Sequence, residues 1–201
     1  MRKNIYTANK SYTPTFQAIQ ATSNKETLRH ILNESFELYC KMKLKHQYNN
    51  KIKNMHWNMS CEKAALYLTI RKYYPLNAYD WIDSSTKSQG IKTSKSINRS
   101  LKNPLMKRIF LRVMKKMAAF VFGEKAGFKF KWVSFSNNEA KFDILDCPYC
   151  LYMSELGCPE LTKIFCDSDV YAYGNLKDFV FERTQTLGTG ENKCDFCIRR
   201  R

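Results

Sequence analysis

In the first two-thirds of the chain, apolar residues recur every three or four positions, as in helices that bury one face. The spacing predicts a helix over 25–46 and a second helix capped by Ser60. Pro104 begins a third, strongly amphipathic helix. Residues 84–103 are rich in Ser, Lys and Asn, and we predict a loop or a weak polar helix there.

After residue 127, the spacing of apolar residues changes from that of a helix to that of a strand. Phe128, Phe130 and Trp132 alternate with other residues, which predicts a half-buried strand, and 140–145 returns as a second strand. Two helices follow at 147–156 and 159–173, and two more strands at 179–187 and 193–199. This order predicts an α+β fold: an antiparallel four- to five-stranded sheet backed by helices, with an N-terminal helical part.

The length of 201 residues favours one domain. We predict an N-terminal tail over 1–15 and a single α+β domain over 16–201, with a helical part at 16–122 and a sheet part at 128–201. No apolar run reaches the roughly 18 residues that span a bilayer, and no export signal is evident at the start. The expected location is cytoplasmic, without a membrane partner.

Composition and charge limit the classes of molecule that the chain is expected to bind. The chain is 44% apolar and 14% aromatic, which excludes a disordered polycation despite the net charge of +16. Residues 1–139 carry a net +18 and residues 140–201 a net −2. A basic face attracts nucleic acid or anionic small molecules, but no recognised DNA-binding pattern is present. We therefore expect a small anionic substrate rather than nucleic acid, and a homodimer is compatible with the sequence.

The chain has eight cysteines, of which six lie in the last 62 residues: Cys147, Cys150, Cys158, Cys166, Cys194 and Cys197. With no export signal, they indicate reduced thiols, metal ligands or catalysis. Cys147 precedes a predicted helix, whose positive end favours a thiolate, so Cys147 is predicted to have the lowest pKa. The alternative for each cysteine is a small buried apolar residue.

Two CxxC motifs form a possible zinc site of four ligands: Cys147, Cys150, Cys194 and Cys197. The 43 residues between the motifs exceed the usual gap of about 15–20. Residues i and i+3 of a strand also point to opposite faces, which disfavours the second pair. No cofactor is expected, and zinc is the alternative. The interpretation of the first motif as a redox-active cysteine pair has still less support, because no βαβ unit surrounds it.

The C-terminal third carries an ordered series of short motifs. They are Phe142-Asp143-Ile144, Cys147 with Tyr149, Glu155-Leu156-Gly157, Pro159-Glu160-Leu161, Cys166 with Asp169, Arg183-Thr184-Gln185-Thr186, Gly190 and Cys194-Asp195-Phe196. In this order and spacing they resemble the L-2-amino-thiazoline-4-carboxylic acid hydrolase family. More distantly, the layout resembles the vinyl-reductase-type small-molecule-binding domains.

The family resemblance implies a hydrolase that opens a small cyclic amidine or thiazoline ring at a C–N or C–S bond, or a biosynthetic enzyme that forms such a ring. It implies four catalytic candidates: Cys147, Cys166, Cys194 and Asp169. It implies three substrate-binding residues: Arg183, Gln185 and Asp195. Arg183 would fork onto a substrate carboxylate.

Two further expectations concern the details of this site. Alternation along the predicted strand 179–187 places Arg183 and Gln185 on one face, and Thr184 and Thr186 on the other. This sequence departs from the family pattern at Cys150, Cys158 and Cys197. The alternative function is therefore a small-molecule-binding sensor, or a zinc-stabilised domain without catalysis.

Overall fold

The computed structural model describes residues 4–201, which form two compact units. One comprises the chain up to Gln89 together with Tyr152–Ile164, and the other comprises Gly90–Leu151 together with Phe165–Arg201. The boundary between Gln89 and Gly90 falls inside a helix. The predicted single domain over 16–201 is not tested by this division and stays a prediction. Within residues 4–201, no helix has the length and apolar character needed to cross a membrane.

Eight α-helices and four strands are present in the described chain. The helices are α1 Ile5–Ala8, α2 Thr13–Thr22, α3 Lys25–Lys43, α4 Lys51–Tyr73, α5 Ala78–Ser100, α6 Pro104–Val121, α7 Pro148–Glu155 and α8 Leu161–Tyr173. The strands are β1 Lys129–Phe135, β2 Glu139–Asp146, β3 Phe179–Glu182 and β4 Cys194–Arg200. Short 3-10 turns occupy Lys10–Tyr12, Glu124–Ala126 and Leu187–Thr189.

The first unit is built on α3 and α4, which lie antiparallel. Near the end of α4, Lys72 and Tyr73 donate hydrogen bonds to Glu34 of α3, each at 2.7 Å. Near the start of α4, the buried indole of Trp57 donates to the carbonyl of Lys43 at 3.4 Å. The fully buried Trp57 therefore marks the centre of a helical core.

The second predicted helix begins earlier than expected. The Asn50 side chain accepts hydrogen bonds from the backbone N–H groups of Ile52 and Lys53, so it caps α4. Ser60, the predicted cap, is buried in the middle of the helix. The predicted tail is also ordered from residue 4: Tyr6 is 1% exposed, and its hydroxyl donates to the Glu62 carbonyl at 2.7 Å. Residues 1–3 of that tail lie outside the described residues.

Most of 84–103 is helical, because α5 continues to Ser100. Its small residues allow a close approach to a neighbouring helix of the second unit. A Cβ at Gly90 would lie 2.3 Å from the Cβ of Tyr171 on α8. The missing side chain of Gly90 therefore allows close packing at this point of α5, and the loop alternative was wrong.

The second unit contains the sheet, in the order β1-β2-β4-β3, with every neighbouring pair antiparallel. This confirms the α+β class and the four-stranded sheet. One face packs into an apolar cluster with α6, formed by Leu101, Phe110, Leu111, Ala140, Leu176, Phe179 and Ile198. Phe110 and Leu111 of α6 lie in this cluster and Met114 packs against it, but Leu105, Met117 and Phe120 are exposed, so the apolar stripe predicted for α6 covers the sheet only in part.

The pairing of β2 with β4 decides which cysteine faces the core. Cys194 lies opposite Ile144 and is 5% exposed, and Cys197 lies opposite Lys141 and is half-buried. The two thiols belong to opposite faces of the sheet, as the strand period requires. β3 ends at Glu182, five residues before the predicted end of the third strand.

Replacement of Gly90 by Ala tests the packing of α5. In an open helix this change stabilises by about 0.5–1 kcal/mol. Here the added methyl group overlaps Tyr171, so we expect a loss of about 1–3 kcal/mol in the free energy of unfolding, measured by chemical denaturation. The matched control is S96A on the exposed face of α5, which should stay within about 0.5 kcal/mol of wild type. A more stable G90A protein would contradict the packing.

Candidate functional site

Two of the predicted thiols meet in the second unit. Cys166 comes from α8 and Cys194 from the start of β4, and the Thr186 side chain lies between them. Its hydroxyl donates to the Cys166 sulfur at 3.0 Å and lies 3.4 Å from the Cys194 sulfur. The backbone N–H of Leu187 donates to the Cys194 sulfur at 3.3 Å. Cys194 is thus the thiol with a fixed main-chain donor.

The segment that follows β3 is held by Asp195. Its carboxylate accepts the backbone N–H groups of Thr184 and Gln185 at 2.8 and 2.7 Å, and the Thr184 hydroxyl at 2.6 Å. These donors bond to a side chain instead of a strand partner, so β3 stops at Glu182. The expected alternation beyond this point was therefore wrong. Arg183 and Thr186, predicted on opposite faces, both contact Cys166.

The two thiols share their protons unequally. Cys166 donates its S–H to Cys194, which raises the pKa of Cys166 above its ordinary value, and burial raises it further. The same hydrogen bond lowers the pKa of Cys194 to about 6, against the effect of burial. The nearby Thr186 hydroxyl, the hydrogen bond from the Leu187 N–H and the charge of Arg183 add to the lowering. Cys194 is therefore the thiolate of this pair at neutral pH.

A buried cation accompanies the thiols. The Arg183 side chain is only 6% exposed, and its Nη1 donates to the Cys166 carbonyl at 2.8 Å and to Oδ2 of Asp169 at 3.5 Å. Burial raises the pKa of Asp169 to about 7, although Arg183 acts in the opposite direction. Asp169 can therefore both accept and release a proton near neutral pH.

Asp169 also lines a small apolar cavity of about 100 Å³ within this unit. The other lining residues are Met114, Met117, Ala118, Val121, Phe122, Phe142, Tyr173, Phe196 and Ile198. Phe142 and Phe196 stack with centroids 4.8 Å apart. Cys166 is one helical turn from Asp169, and Cys194 is two strand positions from Phe196. The cavity thus neighbours the thiol pair.

Comparison with known proteins finds a family match over the part of the chain that contains this site. The family model for L-2-amino-thiazoline-4-carboxylic acid hydrolase matches residues 53–198. The chain belongs to this family. No curated protein matches the chain. One solved structure, the crystal structure of Fe(II) unliganded H-NOX protein from K. algicida, is 10% identical over 95% of each chain. Its TM-score is 0.31, which is too low to support a conclusion about fold or function.

In this member of the hydrolase family, the pKa of Cys147 differs from the prediction. A hydrogen bond to Cys150 raises the pKa of Cys147, as does burial, and the N–H of Tyr149 only partly opposes them. The partner Cys150 has a lowered pKa, chiefly because it accepts that hydrogen bond. The helix start does act on Cys147, but the second thiol of the motif overrides it. The prediction that Cys147 has the lowest pKa was therefore wrong.

The remaining predicted residues have other surroundings. Asp195 is an anchor of the main chain: burial raises its pKa, but its hydrogen bonds outweigh this and leave the pKa lowered. Gln185 supplies one of those N–H groups. Cys197 lies on the far face of β4, so the four alternative zinc ligands are not brought together. Between residues 4 and 201, no group of three or more Cys, His, Asp or Glu side chains is arranged around a metal position.

One contributor to the site was not among the predicted residues: the Leu187 N–H, which donates to the Cys194 sulfur. The Thr186 hydroxyl, from the R-T-Q-T motif, also contacts this sulfur. A backbone donor has no sequence signal, because every residue except proline carries one.

The titration of Cys194 is the first test of the site. Because the pKa of Cys150 is also lowered, the titration is made in the C150S background. There we expect thiolate absorbance in the ultraviolet to appear with a midpoint near pH 6 and this step to be lost when C194S is added. The variant T186V keeps the side-chain shape but loses a donor, so the midpoint should rise. A wild-type protein with no thiolate below pH 8, or a midpoint unchanged in C194S, would contradict the assignment.

The raised pKa of Asp169 makes folding depend on pH. Below about pH 4 the folded and unfolded states both hold the proton, so nothing is lost. As pH rises towards 7, only the unfolded state releases it, and the folded state loses up to about 4 kcal/mol relative to D169N. Denaturation of both proteins at several pH values measures this difference.

Proposed function

We propose that the chain hydrolyses a C–N or C–S bond of a small cyclic amidine or thiazoline-type substrate, with Cys194 as the nucleophile. The observation that carries the proposal is the setting of the Cys194 sulfur. It accepts hydrogen bonds from Leu187 and Cys166 and has a lowered pKa. The description of the family, a hydrolase of an aminothiazoline, supports the reaction class.

The first step is addition of the Cys194 thiolate to the amidine carbon. A carbon–sulfur bond forms to the enzyme, and the electron pair of the C=N bond moves to nitrogen. The nitrogen pair then re-forms the C=N bond as the ring C–S or C–N bond breaks, and the departing sulfur or nitrogen keeps the electron pair of that bond and takes a proton. Water attacks the enzyme-bound carbon, and Cys194 departs as the thiolate. Only water is consumed, so the reaction needs no redox partner.

Asp169 is the group proposed to move the protons. It lines the apolar cavity, and its pKa of about 7 leaves both protonation states populated at neutral pH. The acid form protonates the leaving atom, and the resulting carboxylate accepts the proton of the attacking water.

Arg183 is proposed as a positioning residue. Its guanidinium is 6% exposed, and one of its nitrogens contacts both Asp169 and the main chain at Cys166. A buried cation with these partners is better suited to hold α8 and the carboxylate in place than to bind a substrate carboxylate. The apolar walls of the cavity favour an amidine with an apolar body, and the anionic substrate stays a prediction.

The test uses L-2-amino-thiazoline-4-carboxylic acid and a panel of cyclic amidines without the carboxylate. We expect C194S to lose at least about a thousandfold in kcat on any accepted substrate. The control C197S lies on the other face of the same strand and should keep wild-type turnover. Equal activity of C194S and C197S on a substrate that the wild-type protein turns over would overturn the nucleophile.

A further inference from the structure

The chain carries the CxxC motif twice, and the structure places the copies in different geometries. Cys147 and Cys150 span the start of α7, and Cys194 and Cys197 lie within β4. Equal spacing in sequence therefore does not mean equal distance in space. This difference decides which pair can react as a unit.

The first pair lies on a closed turn. The N–H of Cys150 donates to the carbonyl of Cys147 at 3.1 Å, which closes an i→i+3 turn. Such a turn keeps its end Cα atoms within about 7 Å of each other. Disulfides have Cα separations of about 4.4–6.8 Å, so this pair lies near bonding range without unfolding of the helix. A hydrogen bond already joins the two side chains.

The second pair is held apart by its strand. Three residues of an extended strand span about 10 Å, and their side chains point to opposite faces. Cys194 is buried and Cys197 is half-buried on the other face, beside Glu139 at 3.9 Å. This pair cannot form a disulfide without breaking the β2–β4 pairing.

The surroundings of the first pair hold its geometry and leave it open to small reagents. The ring of Tyr149 stacks on Phe165 with centroids 4.3 Å apart, and Pro148 between the cysteines is buried. Both cysteines are only partly buried. Cys158, by contrast, is fully buried, and its thiol contacts Met153.

We propose that Cys147 and Cys150 form a reactive dithiol site that exchanges with small disulfides such as oxidised glutathione. Cys150, whose pKa is lowered, attacks one sulfur of the disulfide, forms a mixed disulfide and releases one thiolate. Cys147 then gives up its proton and attacks the Cys150 sulfur, which closes the Cys147–Cys150 bond and releases the second thiol. The protein dithiol is oxidised, and the small disulfide is reduced to two thiols.

The site is independent of the proposed hydrolase reaction, which uses neither cysteine. The test incubates the full-length reduced protein with oxidised glutathione, blocks the remaining thiols and maps the disulfides by tandem mass spectrometry. We expect the peptide with Cys147 and Cys150 to lose the mass of two hydrogen atoms, with the bond between these two residues. Cys194 and Cys197 should not be joined to each other, and this motif serves as the internal control.

Two variants test the order of attack. In C147S the resolving thiol is absent, so a glutathione adduct should accumulate on Cys150. In C150S no such adduct should accumulate on Cys147 at the same oxidant concentration. The proposal is overturned if the wild-type peptide keeps both thiols while other cysteines in the chain are oxidised, or if Cys147 and Cys150 bond only to other cysteines. An adduct on Cys147 in C150S, with none on Cys150 in C147S, would overturn the assigned order.

Discussion

The candidate site depends on the hydrogen bonds that Asp195 accepts from the segment after β3. Its carboxylate binds the N–H groups of Thr184 and Gln185, whereas in a continuing strand two consecutive N–H groups point to opposite sides. The chain therefore leaves the sheet and brings Thr186 over the thiols. An acidic residue on one face of the sheet thus positions donors around Cys194 on the other face.

The charge of this cluster is balanced around one buried cation. Arg183 faces three groups that can each lose a proton: Asp169, Cys166 and Cys194. Burial opposes more than one negative charge beside a single guanidinium. The cluster meets this constraint by keeping the proton on Cys166, placing the negative charge on Cys194 and leaving Asp169 near the midpoint of its titration. The same balance that stabilises a thiolate also supplies a group that can exchange protons.

Several features were predictable because they depend on local periodicity. The alternation of Phe130 and Trp132 appears as expected, and the opposite orientation of Cys194 and Cys197 follows from the strand period alone. The helical period of α6 places Phe110 in the core, although Met117 and Phe120 of the same helix are exposed. The errors arose where packing or side-chain bonds outweighed local preference. Gly90 and the serines of α5 are residue types that favour loops. In the structure, however, Gly90 packs against Tyr171 within a helix. Asn50 caps α4 where the apolar pattern indicated Ser60.

By itself, the sequence determined the α+β class, the four strands, the family and the residue types available for chemistry, because these depend on patterns and motifs read along the chain. The tertiary structure decided which thiol is ionised. Cys147, at the start of a helix, was predicted to have the lowest pKa, but a hydrogen bond to Cys150 raises it. A hydrogen bond from Cys166 lowers the pKa of Cys194. A thiol pKa depends on donors and charges within a few ångströms. Residues far apart in the chain supply them at Cys194, so only the folded arrangement decides the outcome.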